Sequence, residues 1–493
     1  MAWILLLTYG LCLSFIFFYS VAQFHLVVLY FKHRKNINKQ YDKVQELSKD
    51  LLPTVTIQLP LYNEKYVVER LIDCIAQLDY PSDKLEIQIL DDSTDETTQL
   101  LESKIAFYTQ KGIDILLVRR AKNTGYKAGA LKLGLQTCKG DFVAIFDADF
   151  LPHSDFLLKT IPHFYEDPKI GVVQSRWEHL NRDYSLLTQA QAFGLDAHFT
   201  VEQVGRHSQK HFINFNGTGG VWQKSCIIDA GNWEADTLTE DLDLSYRAQL
   251  KGWQFRYLEN LGVPAELPVS MPALKSQQFR WTKGAAENAM KNLKRVFKTK
   301  LPLGTKIHAT FHLLNSAVFL SVFFSALLSV PVLFAKNNLP EMNWMFRVVS
   351  LFIVSIGSLA LFYLSSFFRL RKFSVANLLQ FVLFFPMFLS LTMGLSLHNA
   401  IAVFEGYFGK KSPFIRTPKF ALTANDQTWK NNIYRVKKIS PIIFLEGLFT
   451  LYYAFGLGVG VYYGDYGLTV FHAMLTCGFA AIFVYSIKHV KMG

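Results

Sequence analysis

The stretch "VAIFDADF", residues 143–150, decides the fold. Four apolar residues run straight into two carboxylates, Asp147 and Asp149, set one residue apart. A short apolar run without polar alternation reads as a strand buried on both faces, the habit of a parallel sheet. Acids at its end then lie on the edge where open α/β sheets bind ligands. Three similar runs precede it. "TVTIQL" (54–59) leads to "PLYNE", "LEIQIL" (85–90) to "DDSTDET", and "IDILLV" (113–118) to "RRAKNTGYKAG". Helical patterns over 67–78 and 97–111 intervene, so the order is the βα alternation of a doubly wound sheet. All four polar clusters then share one edge.

The rest of the chain is a membrane protein's. Of its 493 residues 51% are hydrophobic and 15% aromatic. Residues 1–31 carry no charged side chain and are followed by "KHRK" (32–35). That run is long enough for a bilayer of roughly 30 Å and reads as a retained anchor, since a secretory signal begins with basic residues. Further spans are expected at 307–335, 346–368, 441–464 and 466–487. The apolar stretch 375–404 contains Pro386 and is read as interfacial. If it crossed, the segment 410–438, with eight Lys or Arg against one acid, would lie outside, against the positive-inside tendency. Five crossings follow, with the N-terminus outside and the C-terminus inside. The expected units are an anchor (1–31), a cytosolic domain (32–306) and a membrane region (307–493) that contains a basic cytosolic loop at 405–440.

The net charge of +12 raises the question of nucleic acid, and its placement answers it. Five segments beside the expected spans (32–43, 283–306, 369–372, 410–438, 488–491) hold 25 Lys or Arg against 3 acids, a net of +22. The remainder is therefore at −10. The basic charge belongs to the lipid surface, and the acidic body of the large loop argues against nucleic acid. Five cysteines without a CxxC pair read as reduced, small hydrophobes. An ATPase is excluded for want of G-x-x-x-x-G-K-[ST], and a transporter would carry its informative polar residues inside the membrane. Here they lie in the large loop.

Asp147 and Asp149 at a strand end offer hard oxygen ligands suited to Mg²⁺ or Mn²⁺. With Asp91, Asp92 and Asp95 on the same edge, the carboxylates repel one another unless a cation offsets them.

"DDSTD" (91–95), "GYKAGAL" (125–131), "DAD" (147–149), "TED" (239–241) and "QQFRW" (277–281, a Q-x-x-R-W) stand in one order. In that order and spacing the chain resembles the processive family-2 inverting glycosyltransferases, which include cellulose, chitin and hyaluronan synthases. It is most similar to the cellulose-synthase-like A group, the mannan and glucomannan synthases, through "FDADF", "LDAHFTVEQ" (195–203), "FNGTGGVW" (215–222) and "LKGWQFRYLENLGVPAELP" (250–268). The resemblance covers about residues 54–300 strongly and the membrane portion in general plan. It implies an α/β GT-A domain, the nucleotide-diphospho-sugar transferase fold, inserted between transmembrane helices.

The resemblance also implies roles, each consistent with side-chain chemistry. Asp91 and Asp92 would contact the donor's nucleoside, with Asn63 and Glu64 shaping its pocket. Asp147 and Asp149 would hold the metal, Asp147 also facing the donor. Asp241 would be the general base that takes a proton from the acceptor hydroxyl, and Glu240 would line the acceptor pocket. "TED" is equally an ordinary helix start with Thr239 as N-cap. Arg280 offers a planar fork and Gln277 a hydrogen bond to pyrophosphate, and Lys127 is a further phosphate contact. Trp281, Gly217 and Trp222 are placed at the acceptor. "SPFIRTPKF" (412–420) resembles the gating loop of processive synthases, F-x-V-T-x-K, with Arg416 at the usual Val, then Thr417 and Lys419.

The function implied is transfer of a hexose from GDP-mannose or UDP-glucose, with inversion, to a growing β-linked polysaccharide, expected to be β-1,4. The alternative is a non-processive enzyme acting on a lipid such as a polyprenyl phosphate or a sphingolipid. The implied setting is a multi-pass membrane protein with its catalytic domain cytosolic, in the Golgi of a eukaryote or the inner or plasma membrane of a bacterium.

Overall fold

The structure is a computed structural model that describes residues 2–41, 44, 47–338, 353–422, 433–434 and 440–491. Parts of the expected span at 346–368 and of the loop at 405–440 therefore lie outside the described residues.

Seven strands form one sheet, β1 (Val55–Leu61), β2 (Leu85–Asp91), β3 (Asp114–Arg119), β4 (Phe142–Ile145), β5 (Ile170–His179), β6 (Gly220–Gln223) and β7 (Gln254–Ala265), in the order β3-β2-β1-β4-β6-β5-β7. All pairs are parallel except those of β6, which runs against both neighbours. The four runs read from the sequence are β1 to β4. β1, β2 and β4 are almost wholly buried, as a sheet covered on both faces requires. Leu61 pairs with Asp91 and Asp91 with Arg119, so the strands end level. The chain builds outward from β1 through β2 to β3, then returns to the other side of β1 as β4. That reversal opens the crevice between the ends of β1 and β4.

The helices of the domain are α2 (Val68–Ile75), α3 (Thr97–Gln110), α4 (Tyr126–Thr137), α5 (Phe156–Thr160), α6 (Leu186–Ala197), α7 (Gln203–Ser208), α8 (Lys224–Asp229), α9 (Glu240–Leu250) and α10 (Met271–Lys298). The N-terminal helix α1 (Ala2–Tyr41) precedes them, and α11 (Leu303–Leu313), α12 (Ala317–Asn338), α13 (Ile353–Leu370), α14 (Val375–Gly394), α15 (Ser396–Tyr407), α16 (Ile442–Tyr463) and α17 (Tyr466–Lys491) follow. Among the described residues, α1, α12, α13, α14, α16 and α17 are long and apolar enough to cross a membrane.

Two boundaries differ from the sequence reading. α1 does not stop at Phe31 but continues to Tyr41, because its last turns belong to the domain. The Tyr30 hydroxyl donates to Glu259 (3.2 Å), which also pairs with Arg34 (3.5 Å), and the Tyr41 hydroxyl meets His207 (3.0 Å). The expected span 307–335 is two helices, broken between Leu313 and Ala317. The break follows from polar partners. His308 on α11 meets His25 of α1 at 2.9 Å, and His312 meets the Tyr246 hydroxyl at 2.9 Å, which ties α11 to the domain while α12 leaves it.

The stretch 375–404 is α14 followed by most of α15. α14 packs chiefly along α17 and touches the domain through a patch of aromatic rings. The rings of Phe381, Phe384 and Phe388 surround Phe193 of α6, and Leu391 and Leu395 pack with Leu187 and Met271.

Candidate active site

Each strand end delivers its residues to the crevice, and the loops fix their aim. After β1 the chain turns through Asn63, whose φ of 56° is left-handed. The Asn63 backbone N–H donates to Ser93 Oγ (2.8 Å), and its side-chain oxygen accepts from Thr94 N (2.8 Å), so Asn63 ties the β1 loop to the β2 loop. Glu64 follows, buried in the cleft wall. Burial raises its pKa despite the cations Lys419 (3.8 Å) and Arg416 (2.6 Å) beside it.

After β2 the two aspartates part company. Asp91 is fully buried and accepts from Ser93 N (2.9 Å) and Thr98 Oγ1 (2.8 Å), with Arg119 at 3.3 Å. It holds the loop. Asp92 lines the cleft and is gripped by Arg120, which also donates to the Thr124 (2.8 Å) and Tyr126 (2.9 Å) carbonyls. Arg120 thereby shapes the turn into α4, a role the sequence reading missed because an arginine in a loop has no distinguishing pattern.

After β4, Asp147 and Asp149 both line the cleft. Lys127, at the start of α4, reaches Asp147 at 2.7 Å and donates to the Gly217 carbonyl at 2.8 Å. Burial raises the Asp147 pKa, but Lys127 and Lys419 outweigh it and the net direction is down. Asp149 accepts from Glu266 N (3.1 Å) through one oxygen, and the other is paired with Lys419 Nζ at 2.5 Å. Two hard carboxylate donors one residue apart, each faced by a lysine ammonium that offsets its charge, fit a divalent cation in the same place. A second acidic group, Glu234, Asp236 and Asp243, is bridged instead by Lys291 at 2.6, 2.8 and 3.0 Å.

On the opposite wall α9 begins with Glu240 and Asp241. Thr239 does not cap this helix. Its hydroxyl accepts from Asn288 of α10 (2.9 Å), because α10 passes so close that a Cβ on Gly284 would stand 2.5 Å from that hydroxyl. α9 is thus held by α10, which also carries Gln277, Arg280 and Trp281 into the cleft. Asp241 is pushed up to about 7, first by burial and then by the Glu240 charge, with Lys127 opposing. Gly217 closes the pocket around it: at φ +80° a Cβ would lie 3.0 Å from Asp241 Oδ2.

Arg280 donates to Thr417 Oγ1 (2.7 Å) and lies over the Phe414 ring (4.5 Å), while its buried Nε has no partner among the described residues. Burial lowers its pKa to about 10, with Asp147 and Glu240 opposing. Segment 414–420 crosses the opening, with Phe414 stacked on Tyr126 (5.4 Å) and Arg416, Thr417 and Lys419 all lining the cleft. At the far end Trp281 stands 6.4 Å from Trp177, which stacks on Phe199 (4.8 Å). Trp177 ends an ordinary-looking strand, so nothing in its sequence neighbourhood marked it.

The cleft thus gathers Glu64, Asp92, Lys127, Asp147, Asp149, Gly217, Glu240, Asp241, Gln277, Arg280, Trp281, Arg416, Thr417 and Lys419. Asn63 and Asp91 are not among its lining residues; they brace its loops. Trp222 lies elsewhere: its ring is fully buried against Phe215, Trp233 and Phe255, inside the core formed on β6. The pleat explains this, since an aromatic in the middle of an inner strand packs under a neighbouring layer.

Residues 53–284 match the family model described as "Glycosyltransferase like family 2". A probable glucomannan 4-beta-mannosyltransferase 4 of Oryza sativa subsp. japonica is 47% identical over 271 residues, 54% of this chain and 49% of that protein. Glucomannan 4-beta-mannosyltransferase 9 of Arabidopsis thaliana is 35% identical over 431 residues, 85% of this chain and 75% of that protein. The matched stretch therefore spans about half of the rice relative and three quarters of the Arabidopsis one. A mannosyltransferase of Pyrobaculum calidifontis, solved with GDP-Man and Mn²⁺, shares the fold at 19% identity with a TM-score of 0.52, over 80% of this chain and all of that one. With its nucleotide-sugar-transferase sheet and acidic cleft, the chain belongs to the family-2-like glycosyltransferases, in the group of the plant glucomannan 4-beta-mannosyltransferases.

Proposed function

We propose that the chain transfers mannosyl residues from GDP-mannose, with inversion, to the end of a β-1,4-linked polysaccharide. The observation that carries the proposal is the carboxylate of Asp241, beside Glu240, on the wall opposite the Asp147–Asp149 pair, with Lys127 within reach of both walls. The acceptor hydroxyl oxygen attacks the sugar C1 opposite the diphosphate; the C1–O bond to the nucleoside diphosphate breaks, and the hydroxyl proton passes to Asp241. Arg280 and Gln277 orient the diphosphate, and Trp281 with Trp177 offers flat faces to the acceptor sugars. A Mg²⁺ or Mn²⁺ held by Asp147 and Asp149 supplies charge neutralisation for the leaving diphosphate. Arg416, Thr417 and Lys419 shield the donor from water.

In this reading the catalytic domain lies on the cytosolic face, of the Golgi in a eukaryotic cell, with α14 in the membrane interface and five crossings. The rings of Phe381, Phe384 and Phe388 against Phe193 of α6 hold the middle of α14 beside the domain, which supports that placement.

Protein in lipid nanodiscs with Mn²⁺ and radiolabelled GDP-mannose or UDP-glucose is expected to make a long, mannanase-sensitive product from GDP-mannose. One sugar per lipid acceptor would instead establish the lipid glycosyltransferase reading, and transfer from UDP-glucose alone would change the donor.

The base Asp241 works deprotonated, and its pKa is raised, so kcat/KM rises about tenfold per pH unit below about 7 and levels off above it. Lys127 holds the value down, so Lys127→Met moves that midpoint upward; a pH profile of both proteins checks this. Gly217→Ala places a methyl against Asp241 Oδ2 in a left-handed conformation. It is expected to cost about 10²-fold in turnover, the scale of a misplacement near 1 Å, with GDP-mannose binding retained by calorimetry.

A further inference from the structure

Lys283 is fully buried, yet it belongs neither to the diphosphate cradle nor to the acceptor wall. Its ammonium reaches the Glu405 carboxylate (3.2 Å), the Ser412 hydroxyl (2.5 Å) and the Lys410 carbonyl. Glu405 in turn accepts from Ser412 Oγ (2.9 Å) and pairs with Lys410 (2.6 Å). A buried ammonium is tolerated only when such partners replace its water. The partners are the end of α15 and the first residues after it, the point where the segment crossing the cleft begins. The two helices meet almost backbone to backbone here: a Cβ on Gly406 would lie 2.7 Å from both Ala286 Cβ and the Lys283 carbonyl.

Three residues earlier on α10, and so on the same face, Arg280 holds the other side of the arc at Thr417. The arc 412–417 is therefore pinned twice to one helix. The Arg280 pin faces the cleft. The Lys283 pin is sealed from it, and Phe414 lies between them, stacked on Tyr126.

Building on the function proposed above, we propose that Lys283, Glu405 and Ser412 form the fixed anchor of the cleft-crossing segment, and that Lys283 is a positioning residue for donor closure. Without the anchor the segment covers the donor in a smaller fraction of molecules, and the apparent donor affinity falls by that fraction. Lys283→Met is expected to raise the KM for GDP-mannose about tenfold, the effect of reducing the closed fraction to about a tenth. kcat should stay within about threefold, because covered molecules carry the full site. Lys283→Arg keeps the charge and restores most of the affinity. Glu405→Gln acts like Lys283→Met, and the double variant is no worse than the poorer single, since both break one cluster.

A second reading is independent of turnover. In nanodiscs without donor, trypsin is expected to cut after Lys410 and Lys411 about tenfold faster in Lys283→Met than in the parent, as an untethered segment opens more often. Unchanged cleavage in Lys283→Met, or a double variant with multiplied losses, overturns the anchor. If Lys283→Met fails to fold, Ser412→Ala and Glu405→Gln carry the same comparison. Absence of any sugar transfer by the parent protein refutes the proposed function, while the cleavage comparison still decides the anchor.

Discussion

Replacing Asp241 by Asn is expected to lower transfer about 10³-fold, within the range that a positioned base contributes, while GDP-mannose binds as before. The argument rests on position and on charge. Asp241 stands at the first turn of α9 in a pocket closed by Gly217, where burial and Glu240 push its carboxyl up to about 7 and Lys127 restrains it. A carboxyl at that value is half ionised near neutrality and can accept a proton from an alcohol as the C1–O bond forms. Asn preserves the size and the backbone hydrogen bond to Leu242 but removes the basic oxygen. It also relieves the repulsion with Glu240, so stability should hold or rise. Single-turnover kinetics with labelled donor, set beside calorimetric binding, separates the steps. Near-normal turnover in Asp241→Asn would remove the assignment of the base.

The second large effect concerns Asp149. Asp149→Ala is expected to weaken metal-dependent donor binding, raising the half-saturating Mn²⁺ or Mg²⁺ concentration by at least about 10²-fold. Loss of a mere outer-shell partner already costs 10- to 100-fold, and a direct ligand costs more. Asp149 is nearly fully buried; one of its oxygens accepts from Glu266 N and the other is paired with Lys419. Its removal also takes away the closest partner of Lys419, leaving that amine with Glu64 at 3.8 Å. Donor binding titrated against metal for Asp149→Ala and for Asp91→Asn distinguishes ligand from loop brace. Asp91 accepts its bonds within its own loop, so Asp91→Asn should weaken stability without changing the metal requirement. The same metal requirement in Asp149→Ala as in the parent would take the metal assignment away from this residue.

The contrast between these aspartates shows where reading a sequence stops. "DDSTD" and "DADF" look alike as letters: each places two acids at the end of an apolar strand. In the folded chain Asp92 and the Asp147–Asp149 pair face the cleft, whereas Asp91 turns inward to Ser93, Thr98 and Arg119. Trp222 and Trp177 reverse in the same way. The first sits in the motif-rich "FNGTGGVW" and proves to be core; the second sits in an unremarked strand and reaches the cleft. A strand's side chains alternate between faces, so one residue of register decides which side an aromatic serves. Register is set by partners far along the chain.

Local pattern by itself determined the parallel sheet, the acidic edge, the apolar spans and the order of the motifs, because apolar runs and turn residues act through neighbours within a few positions. Tertiary structure alone decided how α10 works. Its contacts tie Arg280 to Thr417, Lys283 to Glu405 and Asn288 to Thr239, pairs more than forty residues apart that fix the start of α9, the cleft wall and the crossing segment to one helix. A buried charge can be stable only beside its partner, and no stretch of sequence shows which distant group folding brings there.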